Sequence, residues 1–403
     1  MNELSSLGLI LLLALMAGHL VKVIRVPEVT GYLLAGVALG PSALGWVSHE
    51  NLTALEIFSE VALGLILFSI GSIFEFGLIR RIGRSVLLLT LIESMLACGT
   101  VIAVMLLGGQ QWQVALLLGV IAMETAAAST LMVMRECNAK GPLTETLTGI
   151  IALNNIFCLI GFGIASAVIG LANGTGEPLS FWQAVYTAVY PPLWRLIGSV
   201  ALGYLIGLML AAWASQVHEH GEMLLLLTGC ILLCVGVSIL LDVSSMIASL
   251  AVGATLINLS ARTRQLFSSL SRTDPPLYAI FFVIAGADLD ITLLGSIGVL
   301  GLLYVAGRAL GKVFGARWGS RKLGLSREMQ RWLGLGLMAQ AGLAIGLTLI
   351  INRQLPEYAP IVTTIVLSSV IIYEIVGPIS ARFAIIGSGE SRPHDATPIG
   401  VLD

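Results

Sequence analysis

Two adjacent amides, Asn154 and Asn155, lie in the middle of an apolar run that is long enough to cross a lipid bilayer. Polar groups are unfavourable at that depth, so such side chains usually face a partner helix or a water-filled cavity. One interpretation is that the amides hold two helices together by hydrogen bonds. The other interpretation is that they form the floor of a substrate or ion site.

The composition places these amides in a membrane protein. Hydrophobic residues make up 57% of the 403 residues and charged residues only 11%, whereas soluble domains carry about 25% charged residues. Apolar segments close to the length of a membrane span recur along the whole chain. We predict an all-α polytopic membrane protein with about 13 transmembrane helices, at residues 6–24, 28–45, 54–75, 84–107, 112–134, 146–170, 184–213, 222–241, 244–260, 275–291, 292–316, 327–350 and 358–384.

The distribution of positive charge predicts the orientation of these spans. Lys and Arg cluster in alternate connections, and the opposite connections contain only Arg353. Positively charged loops stay on the cytoplasmic side, so we predict that the N-terminus lies outside and the C-terminus in the cytoplasm. The first apolar run lacks a small-residue cleavage site and is expected to remain as a span. The predicted location is the inner (plasma) membrane, within the lipid bilayer.

Composition also limits the kinds of site that the chain can carry. The net charge of −2 gives no indication of a nucleic-acid partner. The five cysteines have neither the spacing of metal ligands nor that of a disulfide framework. We therefore expect no metal centre, no cofactor and no enzymatic activity.

The chain contains an internal repeat. Two pairs of segments resemble each other at a nearly constant offset, 29–39 with 246–256 and 62–71 with 277–286. The same register places Asn154–Asn155 opposite Ser368–Ser369. The second unit begins an odd number of spans after the first, so the two units insert with opposite orientation. This predicts an inverted repeat of six plus six spans around one linker helix, the arrangement of many secondary transporters.

Two matching segments of the repeat carry polar and small residues at mid-membrane depth. Glu124 and Thr125 lie among alanines in the fifth span, and Gln340 lies near glycines at the equivalent point of the twelfth. This pattern predicts two crossed discontinuous helices, whose freed backbone groups can line a wet cavity. The alternative is ordinary packing of small residues between helices.

Four charged residues lie inside other spans. Each charge alone costs about 2.5–3.5 kcal/mol at the centre of a helix on insertion scales. Glu93 and Arg308 occupy equivalent depths in the repeat, so we predict that they pair, either to hold the bundle together or to take part in gating. Lys312, one turn beyond Arg308, either extends to the cytoplasmic interface or points at the amide pair. Glu374 is either a structural partner of Arg308 or Lys312, or a functional carboxylate.

Three segments resemble the monovalent cation:proton antiporter superfamily, the sodium/proton exchangers. They are GYLLAGVALGPS at 31–42, FFVIAGADLD at 281–290 and GRALGKVFGA at 307–316. The resemblance covers about residues 5–385 and includes several motifs in the same order and spacing. It implies a secondary active antiporter that exchanges Na⁺ or K⁺ for protons by an elevator mechanism.

The resemblance also implies a domain organisation. Residues 1–385 would form the transmembrane domain of a homodimer. A dimerisation panel would consist of the spans in 6–75 and 222–291, and a mobile core of those in 84–170 and 292–384, with 184–213 as the linker helix. The family's nucleotide-binding tail domain is not expected, and 386–403 would be a short cytoplasmic tail.

The chain departs from the family pattern at the centre. Family members carry an Asp-Asp or Asn-Asp pair where this chain has Asn154–Asn155, and the second acid binds the cation and carries the proton. An amide retains the oxygen ligand, but it cannot exchange a proton in the physiological range. We interpret Asn154, Asn155, Glu124, Thr125 and Gln340 as the ion site.

Three hypotheses follow from this departure. In the first, a relocated carboxylate carries the proton, and Glu124 is the best candidate. In the second, the chain transports a cation, or an uncharged or anionic solute, past Arg308 or Lys312 without proton coupling. In the third, the chain is inactive in transport, either as an engineered Asp→Asn form or as a regulatory descendant. We favour proton-coupled exchange through Glu124.

Overall fold

The computed structural model describes residues 3–23, 26–71, 76–173, 181–214, 216–217, 219–259 and 274–392, which form helices and connections without a strand. The helices are α1 (Glu3–Val23), α2 (Glu28–Leu39), α3 (His49–Gly71), α4 (Phe76–Leu107), α5 (Trp112–Ile121), α6 (Ala127–Glu136), α7 (Pro142–Asn173), α8 (Phe181–Ala214), α9 (His220–Leu240), α10 (Ser245–Leu259), α11 (Asp274–Ala287), α12 (Leu293–Ser296), α13 (Gly298–Lys322), α14 (Arg327–Trp332), α15 (Gly342–Gln354) and α16 (Ala359–Gly387). A 3₁₀ helix at Leu333–Leu337 continues α14.

Many of these helices have the length and apolarity of membrane spans. Within the described residues, seven single helices meet both requirements, and one bent pair of segments, 327–337 with 342–352, would add an eighth. Several shorter apolar helices lie between them, among them α2, α5 and α10. The predicted polytopic all-α fold is confirmed, whereas the number of thirteen spans stays a prediction.

The two predicted interruptions occur in the fifth and twelfth spans. The first lies between α5 and α6, at residues 122–126. The second lies at 338–341, where the helix axis turns by 47° before α15. The chain around each interruption is rich in alanine, glycine and polar side chains, and carbonyl groups that the interruptions free are bound by the side chains of Arg308 and Lys312. The prediction of two discontinuous helices is confirmed.

Glycine contacts show the symmetry of the repeat directly. Gly36 on α2 packs against the backbone of Gly286 on α11, and Gly253 on α10 packs against Gly71 on α3. The repeat relates Gly36 to Gly253 and Gly286 to Gly71, so the two crossings are copies of one another. At each of them a Cβ atom would overlap the backbone of the facing helix, and only glycine allows so close an approach.

A stripe of glycines also brings α13 onto α4. Gly311 lies against the backbone of Ala97, and Gly315 lies against the Cα and carbonyl oxygen of Glu93. Glycines spaced four residues apart share one helix face and permit contact between backbones. This close packing decides which side chains of α13 can reach Glu93.

Some predicted boundaries differ from those in the structure. The second predicted span extends to residue 45, but α2 ends at Leu39 because Pro41 follows directly after the C-terminal Gly40. The eleventh predicted span is continuous, but the chain turns between α12 and α13, where Gly298 adopts a φ of +56°. A positive φ is readily available to glycine.

Several residues behind the orientation prediction lie outside the described residues, namely Arg25, Arg262, Arg264 and Arg272. The side chains of Arg80 and Arg81 and the tail residues 393–403 lie outside them as well. The division into panel, core and linker stays a prediction.

Replacing Gly253 by alanine tests the glycine crossings. The added methyl group would overlap the Phe68 carbonyl oxygen and the Gly71 Cα, so we expect a loss of about 1–3 kcal/mol in stability from overpacking. The matched control is Gly236→Ala in α9, where nothing lies within 4 Å of the added atom. Thermal unfolding of both variants in detergent makes the comparison, and equal midpoints would contradict the proposed crossing.

Candidate functional site

The two interruptions touch each other inside the bundle. The backbone N–H of Ala126 donates to the carbonyl oxygen of Ala339 at 3.1 Å. In the opposite direction, the N–H of Ala341 points at the Glu124 carboxylate, with 3.4 Å between the nitrogen and Oε1. The predicted crossing of the two broken helices is therefore present, and it brings Glu124 from one break to the backbone of the other.

Arg308 on α13 binds the backbone of both breaks. Its guanidinium donates to the carbonyl oxygen of Met338 at 2.7 Å, to that of Glu124 at 2.7 Å and to that of Ala339 at 3.1 Å. Glu124 and Ala339 occupy equivalent positions in the repeat. The Arg308 guanidinium therefore binds the carbonyl oxygen at the same position of each break. The face of the Tyr373 ring lies 4.3 Å from the guanidinium carbon, within the range of a cation–π contact.

Lys312 lies one turn further along α13 and serves the first break. Its ammonium donates to the Met123 carbonyl oxygen at 2.7 Å and to the Thr125 hydroxyl at 2.9 Å. It also forms an ion pair with Glu93, with 3.0 Å between Nζ and Oε1, and both side chains are fully buried. A cation at the C-terminal end of a helix is favourable because free carbonyl groups and the negative end of the dipole meet there.

The predicted pairing of Glu93 with Arg308 is wrong. Glu93 pairs with Lys312, and Arg308 contacts backbone carbonyls without forming an ion pair among the described residues. The reason is the packing of α13, because Gly315 lies against the backbone of Glu93 itself. That contact places Lys312, three residues from Gly315, beside Glu93 and directs Arg308 to the crossing. Lys312 was predicted either to extend to the cytoplasmic interface or to point at the amide pair. It points towards the amides, because Lys312 and Asn154 both donate to the Thr125 hydroxyl.

Asn154 uses both ends of its side-chain amide in hydrogen bonds. Its Oδ1 accepts from the Ser94 hydroxyl at 2.8 Å, and its Nδ2 donates to the Thr125 hydroxyl at 2.9 Å. Because Thr125 also accepts from Lys312, and Lys312 pairs with the residue next to Ser94, these contacts form a closed polar ring. The Asn154 amide accepts on one side of this ring and donates on the other.

Asn155 differs from its neighbour. Its Oδ1 is buried and accepts no hydrogen bond among the described residues. The serines at the equivalent positions of the second repeat bond to backbone instead, Ser368 to the Leu293 carbonyl oxygen and Ser369 to that of Val366. The contacts of Asn154 fit the interpretation that the amides link helices. The Asn155 oxygen, which has no partner among the described residues, fits the interpretation of a substrate or ion site.

Two further oxygens at the crossing have no partner among the described residues. They are Oε2 of Glu124 and Oε1 of Gln340, and both side chains are buried. The Gln340 amide nitrogen is occupied by the Ile121 carbonyl oxygen at 3.3 Å and by the Tyr304 hydroxyl at 2.9 Å. Unsatisfied buried oxygens are rare in native structures and require an explanation. Oxygen atoms are also the ligands that hard cations prefer.

Glu374 lies in the middle of α16 and is only 6% exposed. In the part of the chain that the structure describes, it forms neither a hydrogen bond nor an ion pair, so it is not a structural partner of Arg308 or Lys312. Its neighbour Tyr373 donates to the Val305 carbonyl oxygen at 2.5 Å instead.

The sequence analysis missed a second polar cluster at the C-terminal end of α6. Arg135 donates to the hydroxyls of Ser69 on α3 and Tyr278 on α11. Glu136 accepts from the backbone N–H of Glu28 at 2.9 Å and pairs with Arg382 of α16 at 3.0 Å. These adjacent opposite charges at a predicted helix end were a usable signal, but their partners lie far away in the sequence. Ser94, next to the buried Glu93, was missed as well.

Comparison with known proteins agrees with this architecture. A family model described as the sodium/hydrogen exchanger transmembrane domain matches residues 8–381. The chain belongs to the sodium/hydrogen exchanger family. Its members are membrane antiporters of cations and protons, so the resemblance noted from the motifs is confirmed.

Individual relatives are similar at low identity. The chain is 24% identical over 344 residues to the ammonium/H⁺ antiporter subunit AmhT of Alkalihalophilus pseudofirmus, which covers 85% of each chain. It is 25% identical over 383 residues to the glutathione-regulated potassium-efflux system protein KefC of Salmonella newport, and covers 59% of that protein's length. Among solved structures, the sodium proton antiporter MjNhaP1 from Methanocaldococcus jannaschii shares the fold, with a TM-score of 0.76, 17% identity and coverage of 97% and 99% of the two chains.

Removing one member of the Glu93–Lys312 pair should be worse than removing both. Lys312→Gln leaves a buried carboxylate without its cation, a loss of about 3–5 kcal/mol. We expect the double variant Glu93→Gln/Lys312→Gln to recover much of that loss in thermal unfolding. Glu93→Gln combined with Arg308→Gln is the control, and its effects should add because the two residues do not touch. Additive losses for the Lys312 pair would contradict the observed contact.

Proposed function

We propose that this member of the family exchanges a monovalent cation, Na⁺ or K⁺, for protons, and that Glu124 is the group that carries the proton. The observation that carries this proposal is the Glu124 carboxylate, which lies at the crossing of the two breaks with one oxygen unpaired. Proton-coupled exchange requires a group that gains and loses a proton within reach of the cation.

Other side chains in the site are less suited to this task. Asn155 presents an oxygen but is an amide. Glu93 is neutralised by Lys312 at 3.0 Å. Arg308 stays cationic at any physiological pH and is engaged with backbone carbonyls. Glu124 therefore has the combination of a titratable group, burial and a free oxygen that the exchange requires.

The proposed cation site consists of three buried oxygens. Glu124 Oε2, Gln340 Oε1 and Asn155 Oδ1 are buried without hydrogen-bond partners among the described residues. Thr125 belongs to the proposed site as a support, because its hydroxyl joins Asn154 to Lys312. One relative is named as an ammonium/H⁺ antiporter subunit, so ammonium should also be tested as a transported cation. Another is named as a potassium-efflux system protein, which supports potassium as a candidate.

We propose an elevator movement of the core (84–170 and 292–384) against the panel (6–75 and 222–291). The cluster at the end of α6 supports such a division, because Arg135 and Glu136 of the proposed core contact Ser69, Tyr278 and Glu28 of the proposed panel. With the N-terminus outside and the C-terminus in the cytoplasm, this end of α6 faces the cytoplasm. These contacts would then close the cytoplasmic side and would have to break during transport. The working unit would be a homodimer in the plasma membrane.

Purified protein in liposomes with an internal pH dye tests the exchange. Addition of Na⁺, K⁺, Li⁺ or NH₄⁺ should dissipate a preset proton gradient, with the leak of empty liposomes subtracted for each cation. Glu124→Gln should abolish the proton-linked signal, because the amide cannot carry a proton. The control is Glu328→Gln, an exposed carboxylate at the start of α14.

Three results would contradict parts of this proposal. Wild-type rates in Glu124→Gln would remove the role of Glu124. Isotopic cation flux without a proton signal would indicate uncoupled transport, the alternative that the amide pair allowed. The absence of any flux in folded wild-type protein would indicate a chain that is inactive in transport.

Introducing an acid at each amide separates their roles. Asn155→Asp replaces the amide whose oxygen lacks a partner by a carboxylate, so we expect cation-dependent thermal stabilisation that increases with pH. Asn154→Asp removes the donor to Thr125, and we expect a loss of about 1–3 kcal/mol, the usual effect of an unsatisfied buried group. Thermal unfolding with and without Na⁺ or K⁺ between pH 5 and 9 is the measurement. Identical behaviour of the two variants would show that the amides are not distinct.

A further inference from the structure

Among the residues that the structure describes, Glu374 is one of three buried carboxylates, together with Glu93 and Glu124. It has no hydrogen bond and no ion pair within the described residues, although its side chain is only 6% exposed. Ionisable groups at bilayer depth are unfavourable unless they are paired or functional. Glu374 therefore requires either a proton or a bound cation.

The helix that carries Glu374 borders the second break. Tyr373, the preceding residue, lies over the Arg308 guanidinium. Gly377, one turn later, packs against the backbone of Ala339, and Ser380 donates to the Leu335 carbonyl oxygen at 2.7 Å. Glu374 lies between these contacts along α16.

Glu124 approaches the same break from the other side. Its Oε1 lies 3.4 Å from the Ala341 nitrogen, two residues after Ala339, against which Gly377 of α16 packs. The two carboxylates thus lie on elements that border the same break.

Neither nearby cation neutralises this pair by contact. Lys312 is engaged with Glu93, Thr125 and the Met123 carbonyl oxygen. Arg308 is engaged with three carbonyl oxygens and with the Tyr373 ring. Two neighbouring buried carboxylates cannot both stay ionised without a positive partner.

An amide oxygen near the pair also lacks a partner. Gln340 lies in the second break, next to the residue whose N–H meets Glu124, and its nitrogen is held by Ile121 and Tyr304. The side-chain oxygen of Gln340, Oε1, is buried and accepts no hydrogen bond from the described residues. A carbonyl oxygen beside two carboxylates is a suitable ligand set for a hard monovalent cation.

We propose that Glu124 and Glu374 form a dicarboxylate site that holds either one monovalent cation or one proton, with the Gln340 oxygen as a further ligand. This inference rests on the proposed function and adds a second acid to it. The pair with one proton carries a charge of −1. Release of the proton and binding of one monovalent cation restore the same charge, so exchange at this site is one for one and electroneutral.

Proton release on cation binding tests the pair without transport. Na⁺ or K⁺ is added to purified dimers or monomers in a weakly buffered solution with a pH dye, and thermal unfolding is measured alongside. We expect wild-type protein to release protons and to be stabilised by the cation, and Glu374→Gln to lose both effects. Glu374→Asp should retain them in part because it keeps the carboxylate. Glu357→Gln, an exposed acid just before α16, should behave as wild type.

Liposome assays separate this inference from the proposed function. If wild-type protein exchanges cations for protons and Glu374→Gln does so equally, the dicarboxylate site is refuted, whereas the role of Glu124 stands. If wild-type protein shows no exchange but releases protons in a Glu374-dependent manner, the dicarboxylate site stands and the transport function is refuted. Exchange that responds to an imposed membrane potential would refute the one-for-one stoichiometry.

Chemical labelling provides a measurement on wild-type protein that does not depend on the folding of a variant. A hydrophobic carbodiimide reacts with protonated carboxyl groups in apolar surroundings, and peptide mapping locates the adducts. We expect labelling at Glu374 and Glu124 that Na⁺ or K⁺ suppresses several-fold. Glu93, which is paired with Lys312, is the internal control. Labelling of Glu374 that is unaffected by every cation would overturn the proposal.

Discussion

The carbonyl groups that are freed at two broken helices are the constraint on which this structure depends. Backbone groups in the interior of a membrane need partners, because neither lipid nor water is available to satisfy them there. Two cationic side chains of α13 bind these carbonyl groups. Arg308 donates to carbonyl oxygens of both breaks, and Lys312 donates to a carbonyl oxygen of the first. The placement of α13 therefore controls the geometry of the whole crossing.

The backbone follows the inverted repeat closely, and the side chains depart from it where chemistry is concentrated. The crossing of Gly36 with Gly286 is a copy of the crossing of Gly253 with Gly71. At the centre the symmetry ends, since Glu93 is equivalent to Arg308 and the amide pair is equivalent to two serines. A symmetric scaffold thus presents a single asymmetric set of charges, with Arg308 and Lys312 on one repeat and Glu93, the partner of Lys312, on the other.

Tertiary contacts give the two adjacent asparagines different hydrogen bonding. Asn154 uses both ends of its side chain to join α4 to the first break, and its oxygen is no longer free for a ligand. Asn155 retains a buried oxygen without a partner. Two buried acids lie on other elements that border the crossing, Glu124 in the first break and Glu374 on α16. A buried carboxylate without an ion partner reduces stability, which favours a functional explanation for its presence.

The sequence by itself determined the membrane class, the repeat, the two interruptions and the buried charges, because these depend on local hydropathy and on small residues at repeated spacings. It did not determine which charge pairs with Glu93. Arg308 and Lys312 lie one turn apart on one face of α13, and a difference of one turn is invisible to hydropathy. The contact between Gly315 and the Glu93 backbone decided it, since the offset between two packed helices is set only when their surfaces meet in three dimensions.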